Sequence, residues 1–133
     1  MNRKILVSVV VAFAMSLALG LLGRALLLHA DGMALAKLFA SVVQQLPYAN
    51  LLLPAHLLVA IGFVWVYLKQ RQEGPFLAQG VRFGLAVAAF MAIPVFLAHH
   101  TVHPEATSLV ATQVACQGVG VTVMGVVVAW LNA

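Results

Sequence analysis

Four long apolar runs, separated by short polar breaks, dominate the pattern along this chain. Ile5 to Gly23 contains no charged residue. At a rise of about 1.5 Å per residue this run spans about 28 Å, close to the roughly 30 Å hydrocarbon thickness of a bilayer. The pattern predicts a first span over about 5–28, with Arg24 placed so that its long side chain can reach the headgroups. Further spans are predicted over about 50–68, 81–98 and 104–130. The expected fold is an all-α integral membrane protein of one domain, residues 1–133, with four antiparallel transmembrane helices.

The stretch between the first two spans has a different period. Leu35, Leu38, Phe39, Val42, Val43 and Leu46 recur at helical spacing and form one apolar stripe, while Lys37, Ser41, Gln44 and Gln45 face away from it. A helix over about 33–46 is too short and too polar on one face to cross a membrane. It is expected to lie along the surface as an amphipathic interfacial helix, with Pro47 ending it. Gly74-Pro75 marks a turn between the second and third spans. Pro104 and Glu105 suit the first turn of the fourth, where a missing N–H and an acidic side chain are both tolerated. Pro94 is expected to distort the third span, because proline removes a backbone donor and crowds the carbonyl four residues back.

Composition agrees with lipid as the solvent. Of 133 residues 64% are hydrophobic and only 8% charged, against about 25% charged in a typical soluble domain. The net charge of +4 does not signal nucleic acid, since the basic residues form no patch or stripe. They sort by side instead. Arg3, Lys4, Lys69, Arg71 and Arg82 fall at one end of the predicted bundle, and Arg24 and Lys37 at the other. Five against two places both termini in the cytoplasm of a plasma (inner) membrane protein. Trp65, Tyr67 and Trp130 are then expected at the inner interface. The charged start and apolar middle of the first run also have the form of a signal peptide, but the segment is read here as a retained span. A single cysteine, Cys116, excludes an intrachain disulfide and any CxxC motif.

The chemistry-bearing residues are histidines. His99, His100 and His103 cluster at the end of the third span in "HHTVH", with His29 and His56 expected on the same outer side. Three readings compete. His99, His103 and His29 with Glu105 or Asp31 could bind zinc or copper. His56 with His99 or His100 could clamp a b-type haem between the second and third spans. The third reading is interfacial histidines without a ligand. His56, the deepest of them, would then bond Gln113, Gln117 or a carbonyl freed by Pro94.

Helix association in lipid relies on close approach and polar bonds rather than on the hydrophobic effect. Gly80 and Gly84 form a GxxxG pair, and Gly118, Gly120, Gln113 and Gln117 offer small and amide positions on the fourth span. Membrane desaturases need more histidines than five, and small four-helix multidrug exporters need an acid in the first span, which is absent here. No nucleophile–base pair, phosphate-binding loop or intramembrane acid is legible. The expected function is non-enzymatic: an accessory or scaffolding subunit packing against a larger membrane complex or itself. The alternatives are a cofactor or metal holder and an oligomeric small-solute channel lined by Thr112, Gln113 and Gln117.

Overall fold

The computed structural model describes residues 2–29, 40, 42–44, 46–102 and 107–133. Among these the chain is helical throughout, with no strand. Helix α1 covers Arg3–His29. A 3₁₀ turn at Leu46–Tyr48 leads into α2, Ala49–Gln70. Helix α3 runs over Phe76–Val102, and α4 over Thr107–Leu131. Four helices are long and apolar enough to cross a membrane. An apolar medium favours this outcome, since a helix satisfies every interior backbone group within one segment. Most of the interfacial helix expected over 33–46 lies outside the described residues. Residues 42–44 are helical, and the 3₁₀ turn containing Pro47 follows them.

The first two candidate spans cover Arg3–Gly23 and Leu46–Gln70, against expected limits of about 5–28 and 50–68. The third starts earlier than the expected residue 81, directly after Pro75, because neither Gln79 nor Gly80 interrupts the helical backbone. Before it, Gly74 adopts φ +147°, a conformation that favours glycine. The Gln79 side chain donates to the Gly74 carbonyl at 2.8 Å and fixes the turn.

The distortion expected from Pro94 is present, in a specific form. Ala88–Ala92 is a π-helical segment, and the Ile93 N–H donates to the Ala88 carbonyl five residues back. Widening the helix by one residue just ahead of Pro94 accommodates the proline ring without ending the helix. Normal α-helix resumes over Ile93–Val102.

Helix α1 packs against α2 and α4, and the first segment of α3 makes the largest contact of all, with α4. That seam is built of glycines. A Cβ added at Gly80 would lie 2.5 Å from Val126 Cα, and one at Gly84 would lie 2.5 Å from Thr122 Cα. From the other side, a Cβ at Gly125 would lie 2.5 Å from the Gly80 carbonyl oxygen. The backbones are therefore closer than any larger residue allows. Gly120 faces α1, with Leu19 filling the place its side chain would occupy. Gly118 departs from the expectation of packing within the chain: a Cβ there meets nothing within 4 Å among the described residues. Gln113 is buried and Gln117 half-buried, yet neither makes the expected hydrogen bond across helices among those residues.

A polar clasp at the end carrying both termini ties α1 to α4. Asn132 Nδ2 donates to Ser8 Oγ and to the Val128 carbonyl, both at 2.8 Å. Ser8 in turn donates to the Lys4 carbonyl at 2.8 Å, and Lys4 Nζ reaches the Ala133 carbonyl at 3.2 Å. Ser8 is wholly buried. In an apolar interior such groups are costly unless satisfied, and here each finds a partner.

At the same end α2 reaches α3 through rings. Phe63 and Tyr67 meet Phe83 edge-on, with centroids 4.8 and 5.4 Å apart. Tyr67 is thus a core residue and not the interfacial anchor the sequence suggested. It shares a helical face with Ala60, Phe63 and Val64, all buried, whereas Trp65 and Trp130 are exposed.

Candidate functional site: a histidine notch and an open groove

His56 is the one histidine whose immediate surroundings are defined in detail. Its Nδ1 and Ser16 Oγ are hydrogen-bonded at 2.5 Å. One turn further along α1, Gly20 leaves room for the ring: a Cβ there would stand 3.7 Å from His56 Cε1. Ser16 and Gly20, at i and i+4, form a notch on α1 that receives the imidazole. Ser16 is the middle residue of the 27-residue α1, and His56 is the eighth residue of α2. The partner seen is Ser16 on α1, which sequence gave no reason to single out.

Ser16 beside His56 is also a nucleophile type beside a base type, a pairing not legible in the sequence. Hydrolysis would further need donors aimed at a developing oxyanion. The backbone on both sides of Ser16 and His56 is regular helix, whose N–H groups are already engaged. The arrangement supplies a polar bond between two apolar helices.

The other histidines are spread. His29 and His99 lie on the helical backbone at the far ends of α1 and α3, and His100 is half-buried. His103, Asp31 and Glu105 fall outside the described residues, as do the side chains of His29 and His99. Among the described residues no group of three or more His, Cys, Asp or Glu is placed to hold a metal ion. The haem reading required His56 to face a slot between α2 and α3. His56 is hydrogen-bonded to Ser16 on α1 and is not among the residues that line the groove between α2 and α3.

An apolar concavity lies between α2 and α3. Beyond the Phe63–Phe83 contact α2 and α3 separate, leaving an apolar groove of about 750 Å³. Gly62 and Val66 of α2 form one wall, Phe90 and Met91 of the π-helical segment the other, and Val121 and Met124 of α4 the floor. At the loop end a second cavity of about 450 Å³ is lined by Lys69, Arg71, Arg82, Gln72 and Gln79. Gln70, Phe83 and Ala86 line both, so the apolar groove and the cationic cavity adjoin.

No family model matches the chain, and no curated protein or solved structure shows significant similarity to it. The functional reading therefore rests on the residues themselves.

Proposed function

We propose that this protein is a four-span membrane subunit without enzymatic activity, which packs against a larger membrane complex. Its spans run antiparallel and both termini lie in the cytoplasm. The reversed order of contacts supports the first point, with Gly80 opposite Val126 and Gly84 opposite Thr122. The excess of basic residues at the end carrying the termini and the 71–75 loop supports the second.

One observation carries the packing role: an unused close-approach face on α4. Ala111, Ala115 and Val119 recur every fourth residue and are exposed, and Gly118 beside them has open space where a side chain would be. Thr112 and Thr122 donate their hydroxyls to the carbonyls of Ser108 and Gly118 within the same helix, at 2.9 and 2.7 Å. A partner helix could therefore approach without stranding a donor. Small residues that admit a neighbouring backbone are the usual means of helix association in lipid.

The test compares two glycines. Gly118→Leu should leave the monomer folded and release it from its complex, whereas Gly84→Leu should break the monomer itself. If Gly118→Leu left the assembled species intact, this face would not be the docking surface.

A further inference from the structure

The groove and the cavity beside it differ in chemistry in a way that specifies an occupant. We propose that together they bind one anionic glycerophospholipid, one of its two acyl chains between α2 and α3 and its acidic headgroup among Lys69, Arg71 and Arg82. This rests on the membrane-spanning reading above, but not on the accessory role.

Charge complementarity is the first support. Three cations line a cavity of about 450 Å³, and no acidic residue lines it. Glu73 sits in the adjoining loop without lining the cavity, and no described carboxylate pairs with any of the three. Cations gathered at a membrane surface attract acidic lipids, and guanidinium groups match phosphate oxygens in pairs. The polar amide of Gln79 adds a complementary feature. Its Nε2 is committed to Gly74, while its Oε1 is buried with no hydrogen-bond partner among the described residues. An acceptor left over among donors suits a headgroup that carries hydroxyls beside its charge.

Continuity is the second support. Phe83 and Ala86 border both compartments, so a molecule anchored at the cations has its apolar part directed along the groove. At roughly the 30 Å³ that a water molecule occupies in its liquid, 750 Å³ accommodates one acyl chain with space remaining. Depth is the third. The exposed Trp65 and Trp130 lie towards the same end of the bundle, the level at which such rings meet headgroups. A second protein helix would fit the apolar groove but would leave the three cations unanswered, which is why a lipid is favoured.

The experiment equilibrates the purified full chain in mixed micelles holding equal phosphatidylglycerol and phosphatidylcholine of identical acyl chains, then counts retained lipids by native mass spectrometry. One phosphatidylglycerol should be retained per chain in preference to phosphatidylcholine. Arg71→Gln and Arg82→Gln should each cut that preference about fivefold, and Lys4→Gln, distant from the cavity, should not. Gly62→Leu, where an added Cβ meets nothing within 4 Å, narrows the groove while keeping the fold and should lower lipid retention. Equal retention of the two lipids, or preference unchanged in both arginine variants, would overturn the proposal. So would a dimer occupying the groove, or displacement of the lipid by free glycerol phosphate at matched concentration. Failure of the membrane reading has a separate signature, release of the chain from membranes by alkaline carbonate without detergent.

Discussion

The two halves of the bundle are built to different standards. Towards the termini the helices interlock through the glycine seam, the Ser8–Asn132 clasp and the Phe63–Tyr67–Phe83 ring cluster. Towards the histidines α2 and α3 part company. Leu58 is 70% exposed, Phe90 79% and Val102 71%, although α4 keeps Val110 and Gln113 buried there. In that direction α1 and α2 are joined by the Ser16–His56 hydrogen bond. In water such an open apolar half would be untenable. In lipid it costs little, because tails are as apolar as leucine. One half is closely interlocked, and the other is open among the described residues.

The contrast can be broken most severely at the seam. Gly84→Leu forces its new side chain into the backbone of Thr122, and overpacking of this kind costs about 1–3 kcal/mol or more. A large fall in thermal midpoint in detergent is expected, with aggregation on extraction. Gly118→Leu, at a glycine with open space, should leave the midpoint unchanged or slightly raised, since leucine is the better helix former.

Next in size is the clasp. Asn132→Ala removes two donated bonds and leaves buried Ser8 Oγ without its donor, with an expected loss of about 1–3 kcal/mol. Thermal unfolding of the variant and of Ser8→Ala/Asn132→Ala checks it. The double variant should lose less than the sum of the single changes.

The histidine notch should give a smaller effect. A double-mutant cycle of Ser16→Ala with His56→Ala should return a coupling of about 0.6–2 kcal/mol, the range for polar bonds between membrane helices. A coupling near zero would remove Ser16–His56 as the tie between α1 and α2. Gly20→Ala should be nearly silent, because its added Cβ stands at ordinary contact distance from the imidazole. Gly20→Leu should displace the ring.

Much of the skeleton was legible in the residues. Apolar runs located the spans because lipid demands them, Gly80 and Gly84 announced a close approach, and Pro94 announced an irregularity. What escaped has a common cause. Ser8 and Asn132 are 124 positions apart and each looked like an isolated polar residue near a helix end. Ser16 was one hydroxyl in an apolar run. Gly125 carries no local sign of its role, since its partner carbonyl belongs to α3. The groove and its cationic end arise from the angle at which α2 and α3 separate, which no local pattern encodes. Tyr67 was misplaced for a related reason, because nearness to a helix end outweighed the helical phase it shares with Phe63. The histidine cluster in "HHTVH" drew notice through composition, whereas the Ser16–His56 pairing arises from helix packing that no local pattern encodes.

The most direct test of the packing role is native mass spectrometry on the protein released gently from its own membrane, wild type beside Gly118→Leu. The expected result is a defined assembly containing this chain and larger subunits, from which the folded Gly118→Leu chain is missing. A lone wild-type chain carrying the mass of a haem or a metal ion, lost in His56→Ala, would contradict it.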